Sequence, residues 1–368
     1  MRRLSTLHLN TERTWRGGER QTLYLAEGLC ARGHLARVLC RADSELGRRA
    51  RASGLEVIEM TVHGELDVVA GWRIARHVRR EGYDILHMHT SHAHGLGILA
   101  SALCRGPRRV VHRRVDFSIF RNRLRISRFK YRLGVDRYVA ISAAVKAAMV
   151  ADGIAAERIA VVPSGVDTAR LDRIEESPAA VRRVLGLELD WPVVGCVAHL
   201  AWHKGQEFLV RAAPRLIARV PEVRILIVGE GPRRAALEAE IRALGVGDRV
   251  RLTGFRADVL ALVRALDVLA MPSVMEGLNT TLLDAQALGI PVVATRVGGI
   301  PEAVADGEGG VLVPPRDPAA LAEALADLCA DPARRAALGQ RGRAWVRERF
   351  SVDRMVEGVL AVYRELVE

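Results

Sequence analysis

Two carboxylates, Glu276 and Asp284, lie eight residues apart in the stretch 271–302. Glu276 directly precedes an amphipathic segment, and Asp284 falls within the first turns of the helix that this segment predicts. The N-terminus of a helix presents free backbone N–H groups and a partial positive charge, so it binds phosphate readily. Carboxylates beside it repel phosphate but accept hydrogen bonds from sugar hydroxyls. The pattern therefore predicts a ligand that combines phosphate with a polyol, such as a nucleotide sugar.

Two further features suit a phosphate-containing ligand. Lys204 lies in a short loop directly after the first predicted strand of the second half, where its ammonium group can reach diphosphate oxygens. Gly17 and Gly18 lie at a strand-to-helix turn, where glycine lets a ligand approach the backbone closely. A tight turn needs glycine in any case, so the glycine pair alone is weak support for a binding site.

Two other patterns argue against rival chemistry. Gly229 and Gly231 resemble a dinucleotide-binding fingerprint only in part, because Arg234 stands where that motif has its third glycine. Hydride transfer is therefore disfavoured. The chain contains no Asp-x-Asp sequence, so a tightly bound catalytic metal is not expected, and no other cofactor is predicted.

Polar residues also follow two predicted strands of the first half. The run 87–94 contains four histidines. Adjacent residues of a strand point to opposite faces, and neither a cysteine nor a carboxylate completes a site, so a polar strand end lining a cleft is favoured over a zinc site. His112, Arg113, Arg114 and Asp116 end the next strand, where they suit an anionic acceptor or the donor sugar. An ordinary surface ion pair explains them nearly as well.

Length and composition indicate a globular α/β protein of two domains, because 368 residues exceed one domain of ordinary size. The longest apolar runs are only as long as strands, and the first ten residues lack an apolar core, so neither a membrane span nor a signal peptide is expected. Five scattered cysteines without a CxxC pair are typical of reduced, buried thiols in a cytoplasmic protein.

The net charge of +12 favours anionic partners, although a coding bias towards arginine explains it almost as well. The segment 121–132 carries six basic residues with apolar residues interleaved. As a helix it could lie on an anionic membrane surface. The same pattern suits single-stranded nucleic acid or a solvated helix that covers its own sheet. Because the chain lacks the recognised nucleic-acid motifs, nucleic acid is not predicted as a partner.

Strand-like and helix-like segments alternate along the chain, which predicts parallel sheets whose ligands bind beyond the carboxyl ends of the strands. Strands are predicted at 4–9, 36–40, 56–60, 85–89, 109–113, 137–141 and 159–162 in the first half. In the second half they are predicted at 193–198, 224–228, 249–252, 268–271, 292–295 and 310–313. The turn-rich stretch 161–178 between them is typical of a linker.

These motifs occur together in an order that resembles a known family. They are Gly17-Gly18, PSGVD at 163–167, HLAWHKG at 199–205, VGEGP at 228–232, LTGF at 252–255, the long motif at 271–294 and VGGIPE at 297–302. In this combination the chain resembles the retaining family-4 glycosyltransferases of GT-B fold, which include many lipopolysaccharide and exopolysaccharide transferases. The resemblance covers nearly the whole chain.

The resemblance implies two Rossmann-like domains that face each other across a cleft. The first would be an acceptor domain at 1–170, completed by a C-terminal helix at 351–368 that crosses back to it. The second would be a donor domain at 171–350. The implied activity is transfer of a sugar, with retained anomeric configuration, from a nucleotide-diphosphate sugar to a hydroxyl of a glycan or lipid-linked acceptor. The implied location is the cytoplasm, at the inner face of the membrane.

The resemblance also implies roles for single residues. Glu276 would contact the sugar hydroxyls, the amides of Leu278, Asn279 and Thr280 the diphosphate, and Asp284 the ribose. Lys204 would neutralise the leaving diphosphate, with Gly17-Gly18 closing over it and backbone near Phe255 meeting the base. His112 would serve as the family's catalytic histidine, and Arg113, Arg114 and Asp116 would contact the acceptor.

Four positions depart from the family pattern. Asp284 replaces a glutamate, His199 replaces the arginine before the lysine, Ser164 replaces a hinge asparagine, and Arg114 occupies the place expected for the catalytic histidine. A GT-B epimerase and a homologue that binds donor without transferring sugar therefore remain alternatives.

Overall fold

Alternating apolar runs and amphipathic segments form two parallel β-sheets, each covered by helices. The computed structural model describes residues 2–118, 131 and 134–368. The chain divides into one unit of residues 1–165 and 352–368 and a second unit of residues 166–351. The predicted basic segment 121–132 lies, except for Tyr131, outside the described residues.

The first unit contains a parallel sheet of seven described strands, in the order β3-β2-β1-β4-β5-β6-β7. Its strands are β1 Ser5–Asn10, β2 Leu35–Arg41, β3 Val57–Met60, β4 Ile85–Met88, β5 Arg108–Arg113, β6 Arg137–Ala140 and β7 Ile159–Val161. Its helices are α1 Gly17–Ala31, α2 Glu45–Ala52, α3 Val68–Glu81, α4 Ser91–Leu103 and α5 Ala143–Ala151. Strands β1 and β4 are neighbours, so residues distant in sequence meet: His8 lies opposite His87 in the register.

Side-chain caps fix where the helices of this unit begin. Asp67, Thr90 and Ser142 each accept a hydrogen bond from a backbone N–H of the first turn of α3, α4 and α5, respectively. Such caps satisfy helix donors that have no partner within the helix. They place the first turns of α4 and α5 directly beyond the ends of β4 and β6.

The last helix, α15 Val352–Val367, belongs to the first unit and packs against α1. Gly28 of α1 makes room for this contact, since a Cβ atom there would lie 2.5 Å from a methyl group of Val356. Tyr363 is fully buried and hydrogen-bonds to His87 Nδ1. The predicted helix at 351–368 that crosses back to the first domain is confirmed.

The second unit contains a parallel sheet of six strands, in the order β10-β9-β8-β11-β12-β13. They are β8 Val193–Val197, β9 Arg224–Val228, β10 Val250–Gly254, β11 Val268–Met271, β12 Val292–Thr295 and β13 Gly310–Val313. The helices are α6 Thr168–Asp172, α7 Pro178–Val184, α8 Gln206–Arg219, α9 Arg234–Ala243, α10 Val259–Arg264, α11 Thr280–Ala287, α12 Ile300–Ala303, α13 Pro318–Ala330 and α14 Pro332–Arg349. Strands β8 and β11 are fully buried, as expected of central parallel strands.

The structure corrects the sequence interpretation mainly where helices are short or polar. The stretch 161–178 contains α6 and the start of α7, and α2 and α9 are additional helices. Among the described residues, no helix is both long and apolar enough to span a membrane.

Candidate functional site

Lys204 and Glu276 form an ion pair beyond the ends of the central strands of the second unit. Lys204 Nζ lies 2.5 Å from Glu276 Oε2, and both side chains are largely shielded from water. The same carboxylate oxygen accepts hydrogen bonds from Asn279 Nδ2 at 2.9 Å and from the Ser273 hydroxyl at 3.4 Å. Three donors therefore hold one carboxylate in a single orientation.

Asn279 connects this cluster to helix α11. Its side-chain oxygen accepts the backbone N–H of Leu282 at 3.0 Å and thereby caps the helix, while its side-chain nitrogen donates to Glu276. In the described part of the chain, the backbone N–H groups of Thr280 and Thr281 have no hydrogen-bond partner. The helix start therefore offers two donors and its partial positive charge close to Lys204.

Close backbone packing fixes the loop that carries Lys204. Gly205 follows Lys204 with φ +66°, and a Cβ atom at this position would lie 2.0 Å from the carbonyl oxygen of Pro272. The carbonyl oxygen of His203 accepts the N–H of Val274 at 2.8 Å. The loop after β8 is thus tied to the loop after β11, which brings Lys204 to Glu276.

Electrostatics keeps the Glu276 carboxylate ionised. Burial alone raises the pKa of Glu276, but the positive charge of Lys204 and the hydrogen bonds from Lys204 and Asn279 outweigh burial. The net pKa of Glu276 lies below its ordinary value. A negatively charged, fixed carboxylate is suited to accept hydrogen bonds from the hydroxyls of a sugar.

The remaining donor-site residues predicted in this unit differ in how exposed they are to solvent. Asp284 is buried in α11, and Leu278 is buried just before that helix. Phe255 follows β10 and is 68% exposed, which is unusual for an aromatic side chain and leaves its ring open to a flat ligand. His199 follows β8, and its backbone oxygen accepts a hydrogen bond from Gln206.

The glycines of the VGEGP motif have a structural role. Cβ atoms at Gly229 and Gly231 would lie 2.1 and 2.4 Å from the carbonyl oxygens of Ala198 and Leu200. These glycines allow the loop after β8 to pack on the end of β9. Packing of the backbone therefore accounts for both glycines without a dinucleotide ligand.

In the first unit, the turn at Gly17-Gly18 opens helix α1 and lies against Arg114. A Cβ atom at Gly18 would contact Arg114 Cδ at 3.4 Å. Glu19 accepts hydrogen bonds from the backbone N–H of Arg16 and from Asn10 Nδ2. Burial raises the pKa of Glu19 against the opposing effects of Asn10 and Arg114.

A directed chain of hydrogen bonds runs inward from Arg114. Because a guanidinium group only donates, Arg114 Nη2 donates to His89 Nδ1 at 3.0 Å. His89 Nε2 must then carry a proton and donate to His8 Nδ1 at 3.0 Å. His8 Nε2 in turn donates to the Thr6 hydroxyl at 3.0 Å, and Thr6 donates to a backbone carbonyl. The arginine thus fixes one tautomer for each of two buried imidazoles.

His112 belongs to the same buried group of histidines. Its ring stacks on His87 with centroids 5.3 Å apart, and its two ring nitrogens have no hydrogen-bond partner in the described part of the chain. Burial, with a contribution from Arg114, holds the pKa values of His87, His89 and His112 well below the ordinary value. All three imidazoles are therefore neutral at pH 7.

The other two predicted acceptor residues follow the end of this strand. Arg113 Nη1 donates to the Tyr131 hydroxyl at 3.0 Å, and its other terminal nitrogen donates to the carbonyl oxygen of Phe117. Asp116 lies half-buried in the loop after β5. The structure thus brings Gly18, Arg114 and His112 near one another and turns Arg113 towards Tyr131.

A histidine outside the run 87–94, His8, lies beside His87 and His89 in the structure. His8, His87 and His89 each have a ring nitrogen within 4.8 Å of the others, a spacing that a metal ion could bridge. His87 lies in β4 and His89 directly follows that strand, and the neighbouring strand β1 supplies His8. However, the Arg114 cation donates to His89, and His8 and His89 bond to each other, so the ring nitrogens are largely used.

Sequence reasoning missed several residues of both sites. The position of His8 becomes significant only once β1 and β4 are known to be neighbours. Glu19 could have been found, because a glutamate three residues after a helix cap is a recognised capping signal. The dual role of Asn279 was also detectable in principle, since asparagine is a preferred N-cap residue.

Two family models match the chain, one in each half. Residues 15–170 match the model described as Glycosyltransferase Family 4. Residues 191–331 match the model described as Glycosyl transferases group 1. Together they include Lys204, Glu276 and Asn279 of the second unit and His89, His112 and Arg114 of the first, whereas β1 with His8 precedes the first match.

Individual relatives agree with these matches. A GDP-mannose-dependent monoacylated alpha-(1-6)-phosphatidylinositol monomannoside mannosyltransferase of Corynebacterium glutamicum is 37% identical over 204 residues. The match spans 53% of this chain and 53% of that protein, so the chain spans about half the length of this curated relative.

Solved structures match over nearly the full chain. HepE of Anabaena in complex with UDP-glucose superposes with a TM-score of 0.86 at 25% identity, covering 98% of this chain and 100% of HepE. WaaG, a glycosyltransferase involved in lipopolysaccharide biosynthesis, superposes with a TM-score of 0.76 at 19% identity, covering 98% and 99% of the two chains. Both halves of the chain thus match glycosyltransferase family models, and the chain has the GT-B fold of two Rossmann-like units.

Proposed function

We propose that this protein is a retaining glycosyltransferase that moves a sugar from a nucleotide-diphosphate sugar to a hydroxyl of a glycan or glycolipid acceptor. The observation that carries the proposal is the cluster of Lys204, Glu276 and Asn279 at the start of α11. It combines a fixed cation, open backbone donors and an ionised carboxylate, which are complementary to a diphosphate joined to a sugar. The GDP-mannose of the Corynebacterium relative and the UDP-glucose bound by HepE support a donor of this class.

In the proposed reaction, the bond between the anomeric carbon and the diphosphate oxygen breaks, and its electron pair remains on that oxygen. Lys204 and the N–H groups of Thr280 and Thr281 stabilise the negative charge that develops there. The acceptor hydroxyl attacks the same face of the sugar, and its proton passes to a phosphate oxygen. Glu276 orients the sugar hydroxyls. No protein nucleophile is assigned.

Other residues are assigned by the same chemistry. We assign Asp284 to the ribose hydroxyls, the exposed ring and backbone of Phe255 to the base, and His199 to the diphosphate. In the first unit, Gly17 and Gly18 would contact the donor phosphates. His112 would be the catalytic histidine, and Arg113, Arg114 and Asp116 would bind the acceptor.

The acceptor and the location are inferred together. A lipid-linked or lipopolysaccharide-type acceptor of the cell envelope would place the protein in the cytoplasm, at the inner face of the membrane. The Corynebacterium relative, which acts on a phosphatidylinositol monomannoside, and WaaG, which is involved in lipopolysaccharide biosynthesis, support an envelope acceptor.

We also propose that transfer needs no resident metal. The charge on the leaving diphosphate is matched by Lys204 and the helix start rather than by a metal-binding pair of carboxylates. Protein dialysed against EDTA is expected to keep its full rate in metal-free buffer, with metal content checked by mass spectrometry. A rate that collapses and recovers when one divalent ion is restored would overturn this proposal.

The decisive experiment is a screen of UDP-, GDP- and ADP-sugars by thermal shift, followed by detection of released nucleoside diphosphate. Binding of one class raises the apparent melting temperature of the wild type. Release of the nucleoside diphosphate then distinguishes a transferase from a homologue that only binds donor. The activity assignment fails if a bound donor is never turned over with any envelope glycan or lipid extract.

A further inference from the structure

An exposed apolar surface lies at the start of helix α3 in the first unit. Leu66 and Val68 are each 64% exposed, Val69 is 59% exposed and Trp72 is 49% exposed. Four large apolar side chains within seven residues thus face solvent. Scattered exposed apolar residues are normal, but a contiguous group with a tryptophan typically marks an interaction surface.

The fold does not need these side chains. The opposite face of α3 is buried through Ala70, Gly71, Ile74, Ala75 and Val78. Gly71 packs so closely on α4 that a Cβ atom there would lie 2.9 Å from Leu99. The helix is therefore held firmly by its inner face, and its outer apolar side chains are not required for that packing.

Arginines continue the same outer face towards the C-terminus of α3. Arg73 and Arg76 follow Val69 and Trp72 at helical spacing, and both are exposed. Arg76 lies 5.7 Å from the centre of the Trp72 ring. No ion pair of Arg73 or Arg76 is found among the described residues. We define Leu66, Val68, Val69, Trp72, Arg73 and Arg76 as the α3 surface.

Few acidic groups oppose this positive charge. The helix itself contains four arginines and one glutamate, Glu81. Glu81 is already paired with Arg37 and Arg80, each at 2.7 Å. Asp67 is used as the cap of the helix, and Glu65, directly before Leu66, is half-buried. The exposed face therefore presents apolar side chains at one end, followed by the positive charges of Arg73 and Arg76, which have no ion pair among the described residues.

We propose that the α3 surface docks this protein on the surface of a bilayer that contains anionic lipids. A tryptophan beside short apolar side chains suits the boundary between headgroups and acyl chains, and neighbouring arginines suit anionic headgroups. The charge favours a lipid surface over a second copy of this chain, because two copies would bring the same arginines together. The α3 surface is distinct from the segment 121–132, and the inference does not depend on the proposed transfer reaction.

Vesicle co-sedimentation tests the proposal with full-length protein. Vesicles of pure phosphatidylcholine are compared with vesicles containing one quarter phosphatidylglycerol, at low and high salt. The wild type is expected to bind the anionic vesicles at least tenfold more tightly and to lose this preference at high salt. Absence of binding to anionic vesicles would overturn the proposal.

Two variants separate the apolar and charged contributions. Val69→Ser/Trp72→Ser should weaken binding to both kinds of vesicle. Arg73→Gln/Arg76→Gln should weaken binding to anionic vesicles by about 30-fold, at about 1 kcal/mol per arginine. The matched control is Val184→Ser/Leu189→Ser, which removes two apolar side chains of the second unit that are 76% and 63% exposed. It should bind as the wild type does.

Two readouts identify the other outcomes. All these side chains are exposed, so melting temperatures should stay within a few degrees of the wild type. If the α3 variants bind anionic vesicles as tightly as the wild type, the proposal is wrong. It is equally wrong if light scattering shows that the α3 surface instead joins two copies. Release of nucleoside diphosphate from soluble donor should be unchanged in these variants, which keeps this test separate from that of the transfer reaction.

Discussion

Glu276 and Lys204 depend on each other because both are shielded from water. Removal of one member of a buried ion pair leaves an uncompensated charge, whereas removal of both members often costs little. The pair therefore contributes to folding as well as to the proposed chemistry. A stability measurement can separate the two roles.

Lys204→Met and Glu276→Gln are each expected to lower the free energy of unfolding by about 3 kcal/mol. The double variant should recover most of this loss, because no unpaired charge remains. Transfer should fall by about 100-fold or more in all three variants, since the charge on the diphosphate is no longer matched. Urea unfolding and the release of nucleoside diphosphate are the two measurements.

The exposed ion pair of Arg296 and Asp306 provides the control. Arg296→Gln should change the free energy of unfolding by less than about 1 kcal/mol and leave transfer intact. If transfer returned together with stability in the Lys204→Met/Glu276→Gln variant, the pair would be structural and its catalytic assignment would be wrong.

The buried imidazoles of the first unit should make stability depend on pH. Burial, aided by Arg114, lowers the pKa of His8 to about 3 from an unperturbed value of 6.5. Above pH 6.5 the imidazole is neutral in both states and pH has no effect through it. Below pH 6.5 the unfolded chain binds a proton that the folded chain does not, so stability falls as the pH falls. The fall continues until the pH approaches the folded-state pKa.

Each such imidazole should lower the free energy of unfolding by about 1.4 kcal/mol per pH unit below pH 6.5. His87, His89 and His112 act in the same direction as His8. His8→Gln should therefore reduce the slope by about one proton, measured by urea unfolding between pH 7.5 and 5. The surface variant His63→Gln is the control. Equal slopes for His8→Gln and the wild type would contradict this account.

Helix α11 couples the donor cluster to the backbone through one residue. Asn279 caps the helix with its oxygen and holds Glu276 with its nitrogen. An aspartate at this position preserves the capping oxygen but replaces the donor with a second negative charge. The two functions can therefore be separated by substitution.

Asn279→Asp is expected to keep the helix capped and lower stability by no more than about 1 kcal/mol. It should weaken donor binding by tenfold or more, because two carboxylates repel each other and one turns away from the sugar. Asn279→Ala should lose both the cap and the orientation of Glu276. Calorimetric titration with the preferred nucleotide sugar measures binding. Donor affinity in Asn279→Asp equal to that of the wild type would show that Asn279 acts only as a cap.

Most elements of the fold were predictable from local patterns. Strands such as Arg224–Val228 and Val268–Met271 coincide with the apolar runs that predicted them. A strand that is buried on both faces needs apolar residues at nearly every position, so its sequence forms a continuous apolar run. Helices α2 and α9 were not anticipated. Helix α2 contains one glutamate and three arginines and few apolar residues, and its stability comes from the Ser44 cap and packing on β2 and β3.

The candidate sites were predictable only where their residues are close in sequence. Glu276, Asn279 and the start of α11 fall within a few residues of one another. The ion pair with Lys204 was not predicted, because 72 residues separate the two partners. The chain from Arg114 to His8 depends on strand order and on tautomers, which no local pattern specifies.

At the scale of the whole molecule, the two ends of the chain complete one unit. The first sheet is made from residues before 166, yet α15 covers α1 and inserts Tyr363 beside the buried histidines. Helix α15 therefore covers the apolar face of α1 and supplies the hydrogen-bond partner of His87 Nδ1. The second unit lies between these two segments in the sequence.

Deletion of residues 352–368 is expected to abolish cooperative folding of the first unit while the second unit stays folded. The deletion removes buried side chains such as Val356 and Val359 and exposes the face of α1 around Gly28 that they cover, a loss that a domain of marginal stability cannot absorb. Hydrogen exchange with mass spectrometry should show loss of protection in β1 and β4 and retained protection in β8 and β11. The milder variant Tyr363→Phe removes only the hydrogen bond to His87 and should cost about 1–3 kcal/mol. Protection of β1 that survives the deletion would show that the first unit folds without α15 and that this helix only covers it.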